Sequence, residues 1–392
     1  MVAGGMSSTL AAGSPVSMLA GGVAYYGFSE IALARGLNQC ASHFQITVTE
    51  NLLGAPSVVP LAPYTPIVIK YNNLTMMSGY VDSYDATFDA ESHEARITGR
   101  SKTGQLIDCM PDIPAGQYLG FGLPAIAKSL GGILNVQVVI QPGIASTPVA
   151  DATMERCETA FRFLDRLAGI AGLLLCDDEN GALNVATAGA TRAPGRIVQG
   201  GNVIRGQFVA NGERRFSQYI VKGQRGINAA AGAAGFTPGS TGQASPGFGQ
   251  VLTQQRATAL DPNVPLYRPH VTMAESQLDQ SQMQLRANWQ AAYAYGHSLK
   301  AVFTVPGWLQ PDGSLWTINQ IIAVNVPFFG LDQDLLVLEV NFRFSLDDGH
   351  TTEITVGPVE GSIPSPSLLR TSYRKGRHKK GGASAISWNG IG

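Results

Sequence analysis

Six histidines, His43, His93, His270, His297, His350 and His378, are the natural candidates for acid–base work or metal ligation in this chain. None lies in an H-E-x-x-H helix motif, and the sequence holds no G-x-S-x-G nucleophile elbow and no Walker A loop. A triad assembled from distant residues stays open, because triads require proximity in space and not in sequence. Asp82, Asp85, Asp89 and Glu91 form an acidic set that could hold calcium or exchange protons. Their spacing crosses an expected hairpin, where alternation sends side chains to opposite faces, and no glycine occupies the position a calcium loop requires. A solvated β-turn fits them better. Asp177-Asp178-Glu179-Asn180-Gly181 also resembles part of a calcium loop, but the later ligand glutamate is missing, so it too reads as a turn.

The four cysteines, Cys40, Cys109, Cys157 and Cys176, lack the close C-x-x-C pairing of zinc or redox sites. They read as small buried apolar residues of a protein folded in a reducing cytoplasm. No metal or cofactor is expected. The basic cluster Arg370, Arg374, Lys375, Arg377, His378, Lys379 and Lys380 could neutralise phosphates. With Tyr373 its one nearby aromatic, it lacks a stacking platform, and a solvated or protein-docking tail is the favoured reading over nucleic-acid contact. Trp308 and Trp316 bracket a turn at Pro311-Asp312-Gly313 and are expected to pack as core or interface anchors before serving as a sugar platform.

The elements that would position these residues are mostly strands. Pro15 to Leu19 and Val23 to Phe28 flank Ala20-Gly21-Gly22, which is hairpin chemistry. Strand-like runs follow at Glu30 to Arg35, Phe44 to Glu50, Pro66 to Tyr71, Leu74 to Tyr84 and Ala86 to Gly99. They predict a β-barrel or sandwich over residues 1–110 with its N-terminal arm. Residues 111–200 change character, with helical signal at Pro124 to Leu130 and at about Ala152 to Gly169, where Phe161, Leu164, Leu167 and Ala168 share a face. Strand runs at Val136 to Ile140, Leu173 to Cys176 and Ala182 to Ala186 complete a small α/β module.

Residues 201–357 return to strand at Val203 to Val209, Phe216 to Gly223, Ser298 to Val305, Leu315 to Val326, Leu335 to Phe344 and Thr351 to Val356. This second strand-rich region is interrupted by a Gly/Ala-rich insert at 229–249, expected to be flexible, and by a helix expected over 273–294. The glutamines Gln277, Gln280, Gln282 and Gln284 of that helix suit contacts with another subunit. Residues 358–392 form the basic tail, expected to be flexible. The fold class is therefore mainly β with an α+β insertion: two strand-rich regions flanking a small α/β module.

Composition restricts the function further. At 392 residues the chain exceeds what one core organises, so it should divide into two or more domains. Hydrophobic residues make up 44% and charged residues 14%, well under the roughly 25% charged of an average soluble domain, as expected where partner subunits cover the surface. A net charge of −1 provides no field to draw nucleic acid or an anionic membrane. The first 29 residues carry no side-chain charge, yet glycines and Pro15 interrupt every apolar run. No basic leader precedes them, so neither a signal peptide nor a membrane anchor is expected.

Several segments together resemble the baseplate hub proteins of Mu-like contractile phages, relatives of type VI secretion spike hubs. They are Ser78 to Cys109, "SGYVDSYDATFDAESHEARITGRSKTGQLIDC"; Arg214 to Gln224, "RRFSQYIVKGQ"; Tyr267 to Trp289, "YRPHVTMAESQLDQSQMQLRANW"; Val305 to Pro327, "VPGWLQPDGSLWTINQIIAVNVP"; and Leu335 to Phe342, "LLVLEVNF". Their order and spacing match from about Pro15 to Pro358. The residues that carry the likeness are Gly79, Tyr80, Asp82, Gly99, Arg100, Ser101, Lys102, Asp108, Tyr219, Lys222, Gly223, Arg268, Pro269, Gly307, Trp308, Gly313 and Trp316. The insert and the last thirty or so residues follow no family pattern.

The resemblance implies a structural subunit without catalytic residues. It further implies two similar barrels per chain and three chains per ring, adapting a six-fold tail tube to a three-fold central spike. The partners would be self, the tube protein, the spike and other baseplate proteins. The location would be the virion's tail baseplate, after assembly in the host cytoplasm. A tail-associated cell-wall hydrolase and a nucleic-acid-contacting tail protein are the alternative readings.

Overall fold

The computed structural model describes residues 15–49, 61–89, 93–113, 116–149, 152–223, 255–274 and 279–364. The 229–249 insert, Gln277 and the basic cluster from Arg370 to Lys380 lie outside these residues. A first β-unit comprises β1 (Val16–Ala20), β2 (Val23–Tyr25), β3 (Glu30–Gly36), β4 (His43–Thr49), β5 (Pro66–Tyr71), β6 (Leu74–Phe88) and β7 (His93–Ser101). The α/β module follows as α1 (Gly104–Asp108), β8 (Gln117–Tyr118), α2 (Leu123–Ile133), β9 (Val138–Ile140), β10 (Ala152–Thr153), α3 (Ala160–Ala171), β11 (Leu174–Asp177) and β12 (Leu183–Ala186). The rest is β13 (Thr191–Val198), β14 (Arg205–Ala210), β15 (Gln218–Gly223), β16 (Gln255–Leu260), β17 (Pro269–Met273), α4 (Gln280–Ser298), β18 (Leu299–Pro306), β19 (Gln320–Val326), β20 (Leu331–Ser345) and β21 (Gly349–Gly357). The expected class, mainly β with an α/β module, is what the chain adopts.

The predicted opening hairpin forms as β1 and β2 around Gly21 and Gly22, whose φ values of 57° and 86° need a residue without a β-carbon. Some boundaries differ from the sequence reading, and four of the differences have a local reason. Ala86 to Phe88 complete β6, and β7 begins only at His93, so the 86–99 run divides at the turn. Ala152 and Thr153 pair with β8, and α3 starts later, where the Thr159 hydroxyl accepts from the Arg162 amide. Met273 ends β17, which lies parallel to β15, and α4 begins after Asp279, whose capping box with Gln282 fixes the start. In the 315–326 run only Gln320 onward is strand, because Asn319 has φ of 62°.

The two β-units are not separate sheets. One thirteen-stranded sheet runs β14-β18-β21-β20-β3-β4-β7-β6-β5-β1-β2, with β13 and β19 branching from β20. The joining strand is β20, fifteen residues long, which pairs with β19 over its first half and with β3 over its second. A bulge between Val337 and Glu339 lets it change partners. β13 belongs to this sheet, although residues 191–198 were grouped with the α/β module. One continuous apolar core fills both units, reaching from Val16 and Ile69 through Leu33 and Phe342 to Trp308 and Ile354.

The two edges of the sheet, taken along its strands, differ. Where β3 ends and β18 begins, helices attach: the α/β module on the first unit, and α4 with the small β16-β15-β17 sheet on the second. At the opposite edge β6 turns back into β7 and β20 into β21. Register places Asp85, Arg96, Thr47, Glu30, Ser345 and Gly349 in one row along that edge.

Candidate functional site

The segment Ser78 to Cys109 forms a joint. β6 and β7 approach so closely that a β-carbon at Gly79 would overlap the Arg100 carbonyl. One at Gly99 would overlap the Tyr80 carbonyl and come within 2.6 Å of the Phe44 ring. Tyr80 and Arg100 face each other across the strands in this crossing. Arg100 then reaches two carboxylates: Nε donates to Asp82 at 2.7 Å and Nη2 to Asp108 at 2.7 Å. The Asp108 and Asp82 hydrogen bonds hold its guanidinium pKa above the usual arginine range. Exposed pairs of this kind add little stability, but the two-sided fork fixes where α1 leaves the sheet. Ser101 and Thr103 share a buried hydroxyl hydrogen bond of 2.7 Å, and the Lys102 amide donates to the Ser78 carbonyl.

The α/β module docks directly below this joint. Gly181, at φ of 72°, lies where a β-carbon would be 2.6 Å from the Ser78 carbonyl and 3.0 Å from the Lys102 stem. Beside it Arg35 and Asp177, 4% and 2% exposed, meet across the seam. Arg35 Nη2 donates to the Met76 carbonyl at 2.8 Å and Nε to the Ser42 hydroxyl at 3.2 Å. Asp177 accepts from the Ser42 amide and hydroxyl at 2.8 and 2.9 Å, with the Arg35 Nε 3.9 Å away. Each buried charge thus has partners, as it must in a low-dielectric interior. Burial, and then the Asp177 charge, push the Cys40 and Cys176 thiols up, Cys176 to about 12, so both are unreactive. Cys157 corrects the sequence reading: it is exposed, in a turn at φ of 60°.

The turn at 177–181 is a turn as expected, with Asp178 Oδ1 accepting from the amides of Asn180 and Ala182. Asp82 is tied to Arg100, and Asp85 accepts from the Ser83 hydroxyl. Among the described residues no group of three or more His, Cys, Asp or Glu is placed to hold a metal ion.

Tyr219 is buried under α4 and its hydroxyl accepts from the Phe216 amide; burial raises its pKa. Arg268 donates to the carbonyls of Gly212 and Glu213 and lies over the Phe216 ring. Pro269 opens β17, while Lys222 and Gly223 close β15. Three of the glutamines expected at subunit contacts make hydrogen bonds inside the chain. Gln280 and Gln284 donate to the Arg256 and Thr258 carbonyls of β16, and Gln282 completes the cap.

Trp308 is fully buried, its indole N–H shared between the Arg343 and Thr351 carbonyls at 3.0 and 2.9 Å. Its ring stands 4.9 Å from Tyr71 of the first unit and 5.8 Å from Phe342 of the second, so it bridges the two. Trp316 is 3% exposed and lies against Gly195, where a β-carbon would be 2.6 Å from its ring. Gly307, at φ of 73°, immediately precedes Trp308, and Gly313, at φ of 84°, lies in the turn between the tryptophans. Both tryptophans are core residues. Nearby, a cavity of about 310 Å³ is lined by Pro15, Val16, Phe28, Ile31, Phe344 and His350. It is apolar but for His350, whose pKa burial lowers. The matched residues therefore build joints and cores, and no acid, base and nucleophile converge among the described residues.

Three family descriptions match successive parts of the chain. Residues 15–101 match the N-terminal domain of Mu phage baseplate assembly protein GpP-like proteins. Residues 103–187 match the second domain of gp44-like baseplate hub proteins, and residues 279–365 the fourth domain of the Mu GpP protein. The chain belongs to the Mu-like baseplate hub family. It is 26% identical over 374 residues to the baseplate hub protein gp44 of Escherichia phage Mu, covering 95% of this chain and 94% of that protein. Among solved structures, the 43 kDa tail protein of prophage MuSo2 from Shewanella oneidensis is 25% identical at a TM-score of 0.76. That likeness covers 90% of this chain and 99% of that one. A tail protein from Neisseria meningitidis MC58 shares the fold at 19% identity and a TM-score of 0.70, over 90% of this chain and 98% of its own. As a hub-family member the chain is a component of a phage tail baseplate, and no helix among its described residues is long and apolar enough to cross a membrane.

Proposed function

We propose that three copies of this chain close into a ring that adapts a six-fold tail tube to a three-fold central spike. A closed interface cannot be identical on both sides of such a mismatch, so the adaptor must present two symmetries at once. A chain with two β-units does this: three chains bring six units toward the tube and three complete subunits toward the spike. The observation that supports it is the pairing of β20 with β3, which holds both units of one chain in a single sheet and so fixes their mutual angle. The four-part division at 110, 200 and 357 describes the ring subunit, with β13 lent to the second unit and the α/β module outside the barrels. The partners are a second and third copy, the tube protein, the spike and other baseplate proteins. The chain acts without hydrolysing cell-wall polymer and without a cofactor, since its matched residues serve joints and cores.

Light scattering on the purified chain, alone and with the spike protein, tests the ring. A trimer in either condition is expected; a two-fold dimer would sink the adaptor. Zymography on peptidoglycan separates this reading from a tail-associated hydrolase, with no clearing expected from the pure protein. Robust clearing would favour the enzyme.

A further inference from the structure

The two β-units repeat one strand plan. Strands β3 to β7 lie in the sheet as β3-β4-β7-β6-β5, and β14 with β18 to β21 lie as β14-β18-β21-β20-β19. Every pairing in both rows is antiparallel. The agreement extends to detail: β6 and β20 are each fifteen residues long, and each is followed by a nine-residue strand. Both long strands also shift register near the middle, at Val81/Ser83 and at Val337/Glu339. β14 is thus the counterpart of β3. The outer edge of β3 is covered by β20 over Glu30–Gly36, whereas among the described residues β14 pairs only with β18.

The register against β18 continues into the Asn211 amide, which donates to the Ser298 carbonyl. Arg205, Gln207 and Val209 therefore bond to β18, and the backbone N–H and C=O of Gly206, Phe208 and Ala210 point away from the sheet. An edge of this kind is ordinarily blunted. The sheet's other ends show how. β2 is three residues long, and on β13 Pro194 brings no amide while the Asn202 side chain accepts from the Val198 amide and donates to the Arg196 carbonyl. β14 runs six residues with no proline and with one charge, Arg205, at its start. Exposed apolar side chains lie beside it: Ile204 at 61%, Val209 at 46%, and Phe328 at 79%, which rests on Phe329, itself stacked on Phe208.

We infer that the outer edge of β14 is where a second copy of this chain adds an antiparallel strand, so that the sheet runs on from one subunit into the next. This rests on the ring reading and names a seam by which its copies join. Inside the chain the corresponding edge, that of β3, already carries a strand from the other β-unit, and the seam between copies repeats that arrangement. The incoming strand is not another β14. Two β14 edges facing each other close a two-fold dimer and leave nothing for a third copy, whereas a ring of three joins two different surfaces at each seam. Main-chain hydrogen bonds supply affinity in such strand addition, and Ile204, Val209 and Phe328 supply apolar surface for the seam to remove from water.

The test uses the full chain in whichever condition, alone or with the spike protein, makes the wild type trimeric. Ala210→Pro removes one outward amide while sparing the bonds to β18, and Val209→Lys sets a charge at the seam. Both residues are exposed, and circular dichroism with a Tm on each variant checks the fold. Folded variants whose trimer dissociates at a concentration at least about tenfold above wild type are expected, as when buried hydrogen bonds are left unmade. Hydrogen exchange on the wild type needs no variant and decides the matter should one unfold: peptides over residues 204–211 should be protected in the trimer and lose that protection at Gly206, Phe208 and Ala210 on dilution to monomer. Folded variants that trimerise as wild type does, or a wild-type trimer whose 204–211 segment exchanges as fast as the monomer's, would overturn the inference and leave the ring standing. A wild-type chain that forms no trimer with or without spike would overturn the adaptor reading, and the inference with it.

Discussion

Gly296 in the last turns of α4 and Gly361 in the short 3-10 turn Val359–Ser362 lie backbone to backbone, so that a β-carbon at 296 would overlap the Gly361 amide. The contact seats the chain after β21 against α4, where the Trp289 indole donates to the Ile363 carbonyl at 2.9 Å. Gly296→Ala should therefore lower stability by about 1–3 kcal/mol through overpacking, read by denaturant unfolding. Gly132, an exposed α2 glycine with nothing within 4 Å of its would-be β-carbon, is the control. Gly132→Ala should stabilise by roughly 0.5–1 kcal/mol.

Asp177→Ala removes the buried carboxylate beside Arg35 and leaves only the half-exposed Glu179, 3.9 Å from its guanidinium. The expected loss is about 3–5 kcal/mol, seen as a lower Tm or a separate early transition of the α/β module. Replacing both partners by apolar residues of similar size should recover much of it, because the lone charge and not the missing pair causes the damage.

Trp308→Ala removes a fully buried indole that touches both β-units. A loss of about 3–5 kcal/mol is expected from denaturant titration. Trp308→Phe should fall between, since it keeps the ring and strands the Arg343 and Thr351 carbonyls.

His350 gives the chain an acid sensitivity. Its ring packs against Tyr71, Trp308 and Phe344, and its buried Nε2 has no hydrogen-bond partner. Burial lowers its folded pKa below the usual 6.5, so the unfolded state takes up the proton first. Its stabilising contribution is full above 6.5 and is lost as pH falls through the folded value. Asp165 and Asp178, raised by burial, act in the opposite sense nearer the carboxylate range. The Tm of wild type should consequently drop more between neutral and mildly acidic pH than that of His350→Phe. Equal slopes would mean that the ring titrates freely.

Much of this architecture was legible because β-strands advertise themselves locally. β5 falls at the residues its alternation and flanking turn residues predict, and the Gly79 and Gly99 positions mark a close crossing that any reader of strand glycines would suspect. What stayed hidden depends on distance along the chain. Arg35 and Asp177 meet from 142 positions apart, and nothing near either residue signals the other. β17 goes unread and the helix is expected too early, from Met273, because only pairing with the distant β15 marks Pro269–Met273 as a strand. Phe88 and Leu346 look like misplaced core residues in the sequence; the sheet register is what sets them at one edge.

The β20–β3 pairing also orders events during synthesis. β3 emerges roughly 300 residues before the strand that covers its edge. At about 5–20 residues per second, that edge waits tens of seconds on the ribosome, open to any other extended chain. Several nascent copies on one message would then expose the same template side by side. A fold built for assembly thus carries its greatest risk of mispairing before the chain is finished, and a holding chaperone would act on the β3–β4 hairpin rather than on the completed subunit.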